Sequence, residues 1–346
     1  MRTSQASSME IKRTAEAKKA AFWIPVFFAL ALTFFILNIC VGAAPVKLAE
    51  LWGVLFGAAE KESVAYRIIT FVRLPRAIAA LLCGGALAVA GAVLQAVLNN
   101  ALASPNIIGV NSGAGLFALL SMALFPALPR LLPVAAFAGA LLAALLVYMI
   151  AMKTGASRIT IVLTGVAVGS MLSAGINAIT ILKPDVILGA SSFMMGGLAN
   201  VNAGSLSFAA PYILAGFLAA MALSHEMNLL SLGEDTAASL GLHVKLYRFL
   251  LIVCAAVLAG AAVSFAGLLG FVGLIVPHAA RALIGSDNRF LIPACALLGG
   301  GFVLFCDLIA RMLFAPYELP VGILLSLLGG PFFLYLLLKQ RRKVNA

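Results

Sequence analysis

Apolar residues in this chain fall into long runs rather than into the alternating or every-third-or-fourth patterns of soluble strands and helices. The runs cover roughly 22–42, 74–98, 106–125, 131–152, 159–182, 206–224, 247–269, 271–285, 290–314 and 321–338. A helix needs about 20 such residues to cross the hydrocarbon core of a bilayer. The pattern therefore predicts an all-α, polytopic membrane protein with about ten transmembrane helices, of which 271–285 is short for a crossing. The longest polar segment between two runs is 225–245, inside a segment of about 225–246 that interrupts the bundle. Within it, Gly233, Glu234, Asp235, Thr236, Ala237, Leu240 and Gly241 read as a short helix bounded by glycines. The two acids fall in its first turn, where they favour the positive helix end.

Charge sets the orientation. Residues 1–21 form a polar leader that carries Arg2, Lys12, Arg13, Lys18 and Lys19, and 339–346 form a basic tail with Lys339, Arg341, Arg342 and Lys343. Between them, 22–338 reads as one transmembrane domain. Lys153 and Arg158, Lys245 and Arg248, and Arg281 and Arg289 flank three breaks. With the amino terminus inside, alternation puts all of these in the cytoplasm, as the positive-inside rule requires, and an even helix count puts both termini there. The first run lacks a small-residue cleavage site and is expected to stay as a helix. The opposite side also carries cations, at Lys47, Lys61, Arg67, Arg73, Arg76, Arg130 and Lys183. Arg73 and Arg76 stand in a compact Arg-Leu-Pro-Arg that the rule does not explain.

Composition sharpens the membrane reading. Of 346 residues, 63% are hydrophobic and 10% charged, and mean hydropathy is +1.12; soluble domains carry roughly 25% charged residues. The net charge of +11 sits at the ends of apolar runs, not in a basic stripe interleaved with aromatics, which argues against nucleic acid. The five cysteines are isolated and without C-x-x-C spacing, so they read as small buried hydrophobes. Abundant glycine and alanine inside the runs suit close helix packing. Pro105, Pro277, Pro320 and Pro331 suit helix breaks in a bundle around a pathway.

Candidate chemistry is sparse. No G-x-x-x-x-G-K-[ST] occurs, so the chain carries no P-loop. No H-E-x-x-H and no Cys/His cluster suggests a metal, and the three histidines are far apart. Asp307 is the clear acid within a run, four residues before Arg311 and on a shared helix face. A chain of acids, as in proton-driven carriers, is missing. Energy must then come from a separate motor, for which a short cytoplasmic helix is a natural docking element.

Six blocks of sequence make the reading specific: 73–115, 163–169, 193–202, 232–244, 265–289 and 318–333. In this order they resemble the FecCD family of ABC permeases, which serve vitamin B12, siderophores and haem. The resemblance implies a BtuC-like ABC importer fold in the bacterial plasma membrane and a second permease copy or paralogue. It also implies two ATP-binding subunits that use ATP and Mg, and an extracytoplasmic substrate-binding protein. No cofactor is expected on this chain. The family's binding-protein docking arginines match Arg73 and Arg311, where a forked guanidinium suits a carboxylate; the alternative is that they merely cap helices or pair internally, as Asp307 with Arg311. Its ATPase-coupling segment matches Gly233, Glu234, Asp235, Thr236, Ala237, Leu240 and Gly241. Its cytoplasmic gate matches Asn100 and Leu102 in one loop and Ala156 and Ser157 in another. The chain departs from the family with Ala101 in place of the usual proline and Ala156 in place of a common hydroxyl. The expected mechanism is alternating access for an iron(III)-siderophore complex, with haem or cobalamin as alternatives. The rivals from other classes are an ion-coupled secondary transporter and a membrane-embedded enzyme, and no convergent catalytic set supports the latter.

Overall fold

An apolar run hides its backbone polar groups from lipid only by closing its N–H···O=C bonds within the segment. The computed structural model describes residues 2–42, 53–54, 63–154, 158–313, 315 and 317–344, and helix dominates them, with no strand among the described residues. In order the helices are α1 (Arg2–Cys40), α2 (Val64–Val97), α3 (Val110–Leu124), α4 (Leu131–Lys153), α5 (Arg158–Leu182), α6 (Asp185–Met195) and α7 (Ala203–Ala222). They continue with α8 (Ser224–Leu230), α9 (Glu234–Ser239), α10 (Val244–Ala266), α11 (Val272–Ile284), α12 (Asn288–Met312) and α13 (Val321–Val344). Eight are long and apolar enough to cross a membrane; α3, α6 and α11 are shorter apolar helices. The eight together with α3 and α11 correspond to the ten predicted runs.

Three differences from the sequence reading have physical causes. The leader continues α1, so that one helix of 39 residues runs from Arg2 to Cys40. The second span begins at Val64 and passes through a π-helical turn, Ile69–Arg73, before Leu74. The charges of Arg67, Arg73 and Arg76 interrupt the apolar run there without interrupting the helix. The third difference is α6, 11 residues long, about 16 Å at 1.5 Å per residue and too short to cross.

The centre of the bundle is α2, with 83% of its most apolar window buried, against 17% for α1 and α5 at the edges. Glycine allows that centre to close. A Cβ on Gly84 would run into the Gly299 carbonyl of α12, and one on Gly91 into the Gly273 carbonyl of α11. Backbones that touch in this way maximise dispersion contact where lipid offers no hydrophobic drive.

Non-helical backbone also lies inside the fold, and its polar groups are satisfied by protein. The Gly197 N–H donates to the Ala266 carbonyl at 2.9 Å, that of Leu268 to Phe193 at 2.9 Å and that of Gly322 to Gly196 at 3.0 Å. The Asn111 carboxamide donates to the Leu269 carbonyl at 3.2 Å. The breaks between α6 and α7, α10 and α11, and α12 and α13 thus close on one another, the condition under which irregular backbone survives at membrane depth.

Candidate functional site

Three places carry polar chemistry: one end of the bundle, a groove along α5, and the opposite end.

At the first end, the last turn of α1 meets the start of α2, the end of α12 and the break before α13. Arg76 donates Nε to Asp307 Oδ2 at 3.0 Å and Nη2 to Oδ1 at 3.0 Å, a two-point clamp on a fully buried carboxylate. Its Nη1 reaches Glu318 Oε2 at 2.6 Å. Arg311 stands 3.5 Å from Asp307 and donates to Asn38 Oδ1 at 2.7 Å. Arg73 donates to the Ile39 and Cys40 carbonyls at 2.8 and 2.9 Å, capping α1 with a cation where the helix dipole favours one. Asn38 completes the set by donating to the Leu304 carbonyl of α12 at 2.9 Å. Arg73 and Arg311 are therefore brought into one cluster, and each is only 3% exposed within this chain. The i,i+4 pairing of Asp307 with Arg311 exists, but Arg76 holds Asp307 more closely. Sequence reasoning left Asn38 and Glu318 out of this set. Their partners lie 266 and 242 positions away, a separation no local spacing encodes.

Along α5, Gly165, Gly169, Ser170, Ser173 and Asn177 share a face with Asn106 opposite, and they line an open groove of about 420 Å³. Among the described residues no charged side chain lines it. The Ser170 hydroxyl is turned back onto the Val166 carbonyl at 2.9 Å. Such a surface offers weak, neutral hydrogen bonding and room, suited to passage rather than retention.

At the opposite end, α9 projects as a separate turn. Gly233 and Gly241 take φ of +107° and +87°, conformations that glycine adopts at little cost and side-chain-bearing residues rarely adopt. Glu234 pairs with Arg248 of α10 at 2.5 Å, and Ala237 is buried beneath the turn. Asp235, Thr236 and Leu240 are exposed. The segment is thus bolted by one acid and presents the other. Asn100 and Leu102 lie in the loop after α2, where Asn100 Oδ1 accepts the Leu102 N–H at 2.9 Å. Ala156 and Ser157 of the second predicted gate loop lie outside the described residues, as do Lys47 and Lys61. His278 stacks edge-on against Phe332, with ring centres 5.8 Å apart.

Comparison with known proteins agrees on one family. The FecCD transport family profile matches residues 30–339. The chain is 39% identical over 324 residues to the Fe(3+)-citrate import system permease protein YfmD of Bacillus subtilis (strain 168), covering 91% of this chain and 95% of that one. It is 42% identical over 292 residues to the cobalamin import system permease protein BtuC of Halobacterium salinarum, covering 84% and 77%. With the hemin transport system permease protein HmuU of Yersinia pestis it shares 35% over 308 residues, covering 87% and 91%. Among solved structures, an inward-facing ABC transporter assigned to the metal-chelate type superposes with a TM-score of 0.79 at 28% identity, covering 91% of this chain and 98% of that one.

Proposed function

Since the chain belongs to the FecCD transport family, we propose that it is the membrane-spanning permease of an ABC importer for iron(III)-siderophore complexes, working by alternating access. The observation that carries the substrate class is the likeness, over nearly the whole of both chains, to an Fe(3+)-citrate permease. A cobalamin importer is the second reading, favoured by the higher identity to a cobalamin permease over a shorter stretch. Haem remains a third cargo of the same family.

In this reading two copies of the chain, or the chain and a paralogue, enclose the passage, and the neutral α5 groove faces it. The bundle end that carries Asp307 faces outward. Carboxylates of an extracytoplasmic binding protein meet Arg73 and Arg311 there. Two ATP-binding subunits, which use ATP and Mg, dock on the segment from Gly233 to Gly241. Asn100, Leu102, Ala156 and Ser157 close the cytoplasmic mouth, and both termini lie in the cytoplasm. The chain itself performs no covalent chemistry and binds no cofactor.

Titrating the cognate binding protein with ferric citrate, a ferric hydroxamate, haemin and cobalamin tests the cargo. Tight binding of an iron(III) chelate alone is expected; tight binding of cobalamin alone would replace the first reading by the second. Docking of that protein on the permease in nanodiscs should weaken at least tenfold with Arg73→Lys and Arg311→Lys together, which keep the charge but lose the fork. Unchanged docking would remove that role.

A further inference from the structure

Gln95 sits in the last turn of α2, buried to 4% exposure, and every polar atom of its carboxamide is used. Its Nε2 donates to the Ala103 carbonyl at 3.4 Å and to the Gly273 carbonyl at 3.2 Å. Its Oε1 accepts from Arg281 Nη1 at 2.8 Å. One side chain therefore ties the loop after α2 to both ends of α11.

The loop also carries hydrogen bonds of its own, and Leu98 and Ala103 are buried in the core. The Asn100 N–H donates to the Gln95 carbonyl and the Ala103 N–H to the Asn100 carbonyl, each at 3.1 Å, and Asn99 takes a positive φ of 42°. Ala103 is thereby held both by core packing and by the Gln95 carboxamide.

The other holder, α11, is bounded at both ends by residues of positive φ. Its 13 residues follow Phe271 at φ +64° and precede Gly285 at φ +116°. A positive φ at a phenylalanine costs energy and persists only where the surroundings impose it. Just past Gly285, Asn228 of α8 donates to Asp287 Oδ1 at 2.7 Å and accepts from the Asn288 N–H and carboxamide at 2.9 and 2.8 Å. The helix α8 leads directly into α9.

We propose that Gln95 is a positioning residue that fastens the loop of Asn100 and Leu102 to α11, so that displacement of the α8–α9 segment reaches that loop through α11. The inference rests on the reading of that loop as a cytoplasmic gate and of α9 as the coupling element. It adds the connection between them.

The test uses the full transporter, with its ATPase subunits and binding protein, in proteoliposomes. Four native cysteines are buried, so a Cys40→Ser, Leu102→Cys background reports the loop through a membrane-impermeant maleimide applied from the cytoplasmic side. With Gln95 present, labelling should differ at least fivefold between nucleotide-free and ATP-vanadate-trapped states. With Gln95→Met it should become equal in the two states. Uptake of radioiron as its citrate or hydroxamate chelate, per ATP hydrolysed, should fall at least tenfold while hydrolysis stays within twofold. State-dependent labelling that survives Gln95→Met overturns the proposal. Labelling independent of state even with Gln95 present refutes the gate reading instead; the fastening role then stands or falls on transport per ATP, and an unchanged ratio refutes it. Should Gln95→Met fail to assemble, Gln95→Glu keeps an acceptor for Arg281 and loses both donors, and the same outcomes decide.

Discussion

Asp307 has both oxygens engaged by Arg76 and a second guanidinium, that of Arg311, within 3.5 Å. That is the geometry of a structural ion pair, and it leaves little room for proton carriage. Removing one partner of a buried pair strands the other and costs about 3–5 kcal/mol, whereas replacing both by apolar groups of similar volume is often neutral. Asp307→Asn should therefore lower the thermal midpoint of the detergent-solubilised protein sharply. Arg76→Met with Asp307→Leu should recover only part of the loss, because it leaves Glu318 and the buried Arg311 without these partners, as followed by a thiol-reactive unfolding probe. Equal midpoints for Asp307→Asn and the parent would show that the pair contributes nothing. At this scale the sequence was only partly legible. Spacing revealed that Asp307 and Arg311 share a helix face, and the Arg-Leu-Pro-Arg stood out as cations on the wrong side. That Arg76 answers Asp307 across 231 positions depends on how α2 packs against α12, through Gly84 and Gly299, which no local pattern states.

Among the elements, the spans were the easiest to read, because twenty-odd apolar residues have few other uses. The helix α6 escaped because its 11 residues fall short of any crossing, and because its apolar run continues directly into the loop before α7. The short helix α9 was legible for a different reason: glycines at both ends marked backbone that ordinary residues avoid, and the structure gives both a positive φ. What spacing could not distinguish was the task of each acid. Glu234 is half-buried and paired with the buried Arg248, while Asp235 is exposed. Asp235→Lys should therefore weaken association of the ATP-binding subunits at least tenfold in pull-down titrations while the segment keeps its fold. Glu234→Gln should leave the exposed surface intact but loosen the turn, seen as faster amide exchange over 233–241. Equal effects of the two substitutions on association would contradict this division of labour.

For the whole molecule, an uneven surface is the main feature. Leu163, Val166, Met171 and Ile181 of α5 and Leu327, Leu334 and Leu338 of α13 are exposed within one chain. Lipid covers such residues without cost, and another helix surface would cover them through packing rather than hydrophobic drive. The neutral groove along α5, the end with the projecting turn of α9 and the ion-paired opposite end give the chain three different polar surfaces. The sequence carries no P-loop and no chain of acids within its apolar runs. The most direct test is therefore uptake of radioiron chelate into vesicles that hold this permease and its pairing partner, with the binding protein outside. With the ATP-binding subunits and internal ATP present, accumulation should proceed and stop on vanadate addition, and with either omitted it should remain at the level of empty vesicles. Accumulation driven by a proton or sodium gradient in vesicles without those subunits would contradict the account.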